Sequence, residues 1–124
     1  MIDFQNADIF KLTSAKIEDG EKILKDMLIN GEQVIEAFKT VRDMVVFTNK
    51  RVLSINAQGV TGKKKDFTSL PYGKIQAYSI ETAGVIDMDC ELTFYFSGIG
   101  QIRFEIRGGH NIKKLNQVIS EYIL

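Results

Sequence analysis

The 124-residue sequence predicts a mainly β fold with flanking helices: seven antiparallel strands, an N-terminal helical segment and a helix that closes the chain. Three observations carry this expectation. After Gly31 the apolar residues recur at every second position, the period of a half-buried strand. Turn-forming stretches, notably Asn49-Lys50 and Gly98-Ile99-Gly100, cut that pattern into short runs. Beyond Gly108-Gly109 the period lengthens to that of an amphipathic helix.

Residues 1–30 read as helical. Ile9, Phe10 and Leu12 form an apolar cluster, with Thr13 and Ser14 as caps. Ile23, Leu24, Met27 and Leu28 then recur at helical spacing, and Asn30-Gly31 supplies a stop. Gly20 interrupts the pattern, which predicts a break or a cap near Asp19. The strands are expected over 34–39, 44–48, 51–56, 64–70, 75–82, 91–97 and 101–107.

The last two alternate most cleanly. Leu92, Phe94 and Phe96 face one way, and Thr93, Tyr95 and Ser97 the other; Ile102, Phe104 and Ile106 alternate with Arg103, Glu105 and Arg107. In the closing helix, 110–123, Asn111 serves as cap. Ile112, Leu115, Val118, Ile119, Tyr122 and Ile123 share one face, opposite Lys113, Lys114, Asn116 and Gln117. Such a helix needs an apolar surface to cover, and the open end of a strongly bent sheet supplies one.

One hairpin has an apolar surplus. A two-residue turn at Asn49-Lys50 places Met44, Val46, Leu53 and Ile55 on one face and Val45, Phe47 and Val52 on the other. Both faces need cover, from the N-terminal helix or from a second subunit.

Length and composition are those of one soluble domain, 1–124, divided into 1–30, 31–107 and 110–123. Sixteen basic residues balance sixteen acidic ones, so no global field gathers nucleic acid or membrane. Residues 31–75 nevertheless carry eight basic groups against four acidic, which directs the search for an anionic partner there. Cys90 is the only cysteine, so no intrachain disulfide forms, as suits a reducing compartment. The N-terminal MIDFQNADIF lacks the basic and apolar regions of a signal peptide, and no apolar run nears the ~20 residues of a membrane helix. The expected location is cytoplasmic.

Motif chemistry is sparse. In GVTGKKKDF, residues 59–67, the two glycines and three lysines suggest a phosphate cradle. A P-loop needs four residues between its glycines, a hydroxyl after its lysine and a helix beyond; here two residues intervene, Lys64 stands in the hydroxyl position and a strand follows. Asp87, Asp89 and Glu91 alternate like a calcium loop, but Leu92 occupies the position of its glycine, so no metal is expected. Cys90 and His110, the only histidine, lack a third group to orient a dyad, so neither an enzyme nor a cofactor is expected. Aromatic residues do not interleave with the basic ones as nucleic-acid binding would require.

Seven strands and a final helix follow the order of a pleckstrin-homology (PH) domain. More narrowly, GEQVIEAFKTVRD, VFTNKRVL, INAQGVTGKKKDFTSLPYGKI, SIETAG and DMDCEL resemble the stand-alone bacterial PH-like family from Gly31 to the C-terminus. The resemblance implies two near-orthogonal sheets plugged by the last helix, no enzymatic activity, and a homo-oligomeric ring, five-fold in single-domain members. It also implies a polar patch that takes up a protein partner. Arg42, Asp43, Asn49, Lys50 and Arg51 are the partner-binding candidates on that view, and Val45, Phe47 and Val52 the candidates for burial between subunits. The alternative is a peripheral membrane module. The basic loop residues Lys39, Arg42, Lys63, Lys64 and Lys65 fall at one end of an antiparallel meander, although the 40–43 loop is too short to wrap a headgroup and Asp43 and Asp66 dilute the charge.

Overall fold

The computed structural model describes residues 10–82, 89–108 and 112–124. Its elements run β1 (Phe10–Ser14), α1 (Ile17–Ile23), β2 (Val34–Lys39), β3 (Met44–Thr48), β4 (Arg51–Gln58), β5 (Lys64–Pro71), a 3-10 turn (Tyr72–Lys74), β6 (Ile75–Thr82), β7 (Cys90–Phe96), β8 (Gly100–Ile106) and α2 (Ile112–Ile123). All seven expected strand positions are strands. An eighth, β1, lies where the sequence suggested helix and caps.

That strand changes the architecture. The sheet order is β5-β4-β3-β2-β1-β8-β7-β6, one continuous sheet of eight strands rather than seven strands in two sheets. β1 makes the join. Phe10, Lys11 and Leu12 pair in parallel with Phe104, Glu105 and Ile106, while Thr13 and Ser14 pair antiparallel with Lys39 and Phe38. Only Leu12 among 11–14 is buried, so five residues carry a period-two signal too brief to recognise locally.

The N-terminal helix is correspondingly short. Glu18 and Asp19 lie in the first turn of α1, where the positive end of the helix dipole favours acids. The apolar residues beyond it continue as turns: the Met27 and Leu28 amides bond the Leu24 carbonyl at 2.8 and 3.1 Å. The helix thus ends at Ile23, with Leu24 as its C-cap, and not at the Asn30-Gly31 stop that the sequence indicated; Gly31, at φ 82°, lies in the turn before β2. Gly20 does not break the helix but sits buried within it. A Cβ there would stand 3.3 Å from that of Ala37 and 3.4 Å from a methyl of Val34 and of Val46. The absent side chain lets α1 lie directly on the sheet.

The β3–β4 hairpin has the anticipated register, Val46 opposite Leu53 and Met44 opposite Ile55. Its two apolar faces feed two cores. Val46, Leu53 and Ile55 pack with Leu24 and Ala37 beneath the α1 region. Val45, Phe47 and Val52 join the larger core with Phe38, Leu92, Phe94, Ile102, Phe104 and the α2 residues Leu115 and Ile119. A bulge at Ile35, between the Val34–Thr48 and Glu36–Phe47 pairs, puts Val34 and Ala37 on the same face despite their spacing of three.

Helix α2 covers the sheet as its apolar stripe requires. Tyr122 stacks on Tyr72 with ring centroids 6.0 Å apart, and the Tyr78 hydroxyl bonds Ser120 Oγ at 2.7 Å. The expected cap Asn111 and the histidine His110 lie outside the described residues, as do Ile9 and Asp87.

Candidate functional site

The polar candidates fall at opposite ends of the β3–β4 hairpin. Arg42 and Asp43 precede β3, and Asn49, Lys50 and Arg51 follow it; a five-residue strand separates the groups by roughly 17 Å. They do not form one patch.

At the Asn49 end the side chains are committed to the fold. Arg51 Nε lies 3.0 Å from Glu32 Oε2, and one terminal nitrogen lies 3.0 Å from Oε1 and 3.0 Å from the Met27 carbonyl. Its other terminal nitrogen donates to Ser69 Oγ at 2.8 Å. Glu32, whose side chain is wholly buried, also accepts from the Thr48 hydroxyl at 2.7 Å and the Ile29 amide at 3.1 Å. Burial raises the Glu32 carboxyl, but the bonds from Arg51, Thr48 and Ile29, together with the Arg51 charge, leave it below its ordinary value. Tyr72 extends the network by donating to the Thr48 carbonyl at 2.7 Å, and burial pushes its phenol well up.

Asn49 imitates a strand residue. Its side-chain oxygen accepts from the Gln33 amide at 2.8 Å and its nitrogen donates to the Gly31 carbonyl at 3.0 Å. Asn49 and Arg51 thus hold the segment before β2 against the hairpin. Lys50 between them is exposed.

The other end joins two turns, as meander geometry required. The Arg42 guanidinium reaches from the β2–β3 turn to the Gly59 carbonyl in the β4–β5 turn. Asp43 accepts from the Ala57 amide at 2.9 Å and the Asn56 side chain at 3.1 Å, fixing the end of β4. Gly59 and Gly62 adopt φ 74° and 67°, and β5 follows, so GVTGKKKDF is a strand-to-strand turn. Lys39, Lys63, Lys64 and Lys65 stand exposed around it.

The structure corrects the expected subunit contact. Val45, Phe47 and Val52 are at most 1% exposed within a single chain, so they have no surface left for a neighbour. Their burial was ambiguous in sequence because any apolar face reads alike whether helix, sheet or another copy covers it.

A cleft of about 260 Å³ opens between Glu81, Thr82, Asp89, Cys90, Glu91 and Glu105. Three of its four acids have partners: Asp89 accepts from the Gly108 amide at 2.9 Å, and Arg103 and Arg107 lie 3.9 Å from Glu91 and Glu105. Among the described residues no three His, Cys, Asp or Glu side chains converge as metal ligands. Cys90 is buried, and burial, then the Asp89 charge, pushes its thiol up, the reverse of an activated nucleophile.

Sequence reasoning missed Glu32, Thr48, Ser69 and Tyr72. A glutamate between a glycine stop and a strand reads as solvated. Its burial depends on Arg51, nineteen positions later, and no local spacing reveals that.

Comparison with known proteins gives concordant results. Residues 3–123 match a family model described as bacterial PH domain. The crystal structure of a DUF1696 family protein with a pleckstrin-homology domain from Shewanella loihica PV-4 is 34% identical, with a TM-score of 0.79 over 93% of this chain and 99% of that one. A pleckstrin homology domain from Shewanella amazonensis SB2B is 36% identical, with a TM-score of 0.66 over 96% of this chain and 93% of that one. The uncharacterized protein YjqA of Bacillus subtilis strain 168 is 51% identical over 75 residues, 60% of this chain; the chain thus matches 60% of YjqA's length. No described helix is long and apolar enough to cross a membrane.

Proposed function

The chain belongs to the bacterial PH domain family, and from that premise we propose that it is a non-enzymatic interaction module. It assembles head to tail into a homo-oligomeric ring, five-fold in its simplest form, and presents that ring to a protein partner in the cytoplasm. The supporting observation is the asymmetry of the two sheet edges. Each of β5 and β6 has a single strand neighbour among the described residues. β5 carries Lys64, Lys65 and a terminal Pro71, devices that discourage pairing with other chains. β6 carries no lysine or proline, only one charged residue, Glu81, over eight positions. Its one bulge, at Gln76, leaves 77–82 in regular register with β7.

An unguarded edge strand is a template for another strand. Pairing that edge with a different surface of the next copy is a heterologous contact, which closes a ring when the rotation permits. Lys50, exposed on a turn that Asn49 and Arg51 hold rigid, is the partner contact at the rim.

Light scattering after gel filtration tests this reading. The expected mass is a multiple of the chain mass for the native protein and a single chain mass for Ala77→Lys/Ser79→Lys, with unchanged circular dichroism. A native monomer across the micromolar range overturns the ring.

A further inference from the structure

Of the chain's six asparagines, four lie among the described residues, and the fold treats one of them differently. An asparagine is chemically unstable where the backbone nitrogen of the next residue can reach its side-chain carbonyl carbon, so the state of that amide decides its fate. The Lys50 amide, after Asn49, donates to Thr48 Oγ1 at 3.0 Å, and both polar atoms of the Asn49 side chain are bonded. The Ala57 amide, after Asn56, donates to Asp43 Oδ1 at 2.9 Å, and the Asn56 side chain donates to the same carboxylate. Asn116 lies inside α2, where the Gln117 amide is committed to the helix. Asn30, by contrast, is exposed, and its side chain makes no hydrogen bond among the described residues. It is followed by Gly31, the residue that obstructs approach least; apart from its chain neighbours, no atom stands within 4 Å of where a Gly31 Cβ would be. The turn around the pair is closed by the Glu32 amide on the Ile29 carbonyl at 3.0 Å, a bond that leaves the Gly31 amide unused.

We propose that Asn30-Gly31 is a site of spontaneous backbone modification, at which the folded chain converts asparagine to aspartate and isoaspartate with water as the only co-reactant. The Gly31 nitrogen attacks the side-chain carbonyl carbon of Asn30. A new C–N bond closes a cyclic imide, the C–N bond to the side-chain amino group breaks, and ammonia leaves with the proton that Gly31 gives up. Water then opens the imide. Opening at the side-chain carbonyl leaves an ordinary aspartate; opening at the backbone carbonyl leaves isoaspartate, whose chain runs through the former side chain and is one carbon longer. That added atom falls at the corner gripped by Arg51. The Ile29 amide bonds Glu32 Oε1 at 3.1 Å, and the Glu32 amide bonds the Ile29 carbonyl. Both bonds span the modified linkage, so lengthening it displaces them, strips a partner from the buried Glu32 and loosens the segment before β2. The modification acts at this corner and not at the β6 edge, so its failure and that of the ring are separately visible.

Trypsin separates the four asparagines into peptides 26–39, 43–50, 52–63 and 115–124. After the native protein is held at pH 8, mass spectrometry should find the amino-to-hydroxyl exchange, among these four, in 26–39. Isoaspartyl methyltransferase should carry labelled methyl groups to the same peptide. In urea Asn30 should react at a similar rate, whereas Asn49 and Asn56 should gain reactivity because the amides that follow them are released. Asn30→Gln removes the reactive side chain at an exposed position and should leave the circular dichroism unchanged. Aged native protein should then show a lower urea midpoint than Asn30→Gln aged alongside it. The proposal is overturned if 26–39 reacts in the native protein at less than about a tenth of its rate in urea, the behaviour of a site reached only by local opening. It is equally overturned if Asn49 or Asn56 reacts as fast as Asn30 in the folded chain, or if the two aged proteins melt at the same midpoint.

Discussion

Arg51 grips Glu32 with two nitrogens, Nε to Oε2 and a terminal nitrogen to Oε1, each at 3.0 Å, across nineteen residues of sequence. The carboxylate is fully buried while the guanidinium keeps one-fifth of its side-chain surface in water. Such a pair is held because both Glu32 oxygens are satisfied, by Arg51, Thr48 and the Ile29 amide. It joins the segment before β2 to β4, and through Ser69 to β5, so three stretches distant in sequence lock at one corner.

Replacing Glu32 by Gln should destabilise the fold by about 3 kcal/mol at pH 7, the lower end for breaking a buried pair, because Arg51 remains partly solvated. The native carboxyl is held below its ordinary value of 4.5, so its advantage is complete above that pH and disappears as pH falls through the lower, folded-state value. Urea melts of both forms between pH 7 and pH 2 should therefore converge on the acid side. A constant gap across that range would show that the charge of Glu32 contributes nothing.

Gly20 makes a second corner. Its Cα faces the Ala37 Cβ and methyl groups of Val34 and Val46 at distances that leave a methyl barely enough room. Gly20→Val should cost about 1–3 kcal/mol by overpacking, with the loss seen as a lower urea midpoint. Gly20→Ala should be far milder, because alanine's helix preference of ~1 kcal/mol offsets a displacement of a few tenths of an ångström. Equal effects from the two variants would mean that α1 shifts freely on the sheet.

The contrast between these corners and the strands shows what the linear sequence makes legible. Period-two alternation located β2 through β8 because each repeats its signal over five or more residues and ends at a turn. β1 escaped because five residues beside a glycine-containing helix carry too little period, and its parallel pairing with β8 depends on residues some ninety positions away. The hairpin surplus was visible, but which element covers each face is a tertiary fact. For the candidate site, the meander rule correctly brought Arg42 to the β4–β5 turn. It could not foresee that Asn49 and Arg51 would be tied into the fold, since a polar turn residue reads alike when free and when bonded to a chain segment sixteen or more residues away.

Cys90 should react slowly in the folded protein. Burial and the Asp89 carboxylate raise its thiol, so thiolate is scarcer than for a free cysteine at pH 8. Iodoacetamide at pH 8 should modify the native chain at less than about a tenth of the rate in urea. Comparable rates would place the thiol in solvent and reopen nucleophilic chemistry at the cleft.

Phe47 offers the decisive test between a core within one chain and a core shared between chains. Its ring meets that of Phe38 edge-on, with centroids 5.7 Å apart and planes at 87°. Phe47→Ala should cost about 3–5 kcal/mol, the range for removing a buried aromatic side chain. If the cover is intramolecular, the difference from native stability stays constant when the protein is diluted, because unfolding the pair involves no second copy. A contact between subunits behaves differently, since its contribution follows mass action. Urea melts at two concentrations a hundredfold apart should therefore show the same loss for Phe47→Ala, and Ala77→Lys/Ser79→Lys should abolish whatever concentration dependence the native protein has.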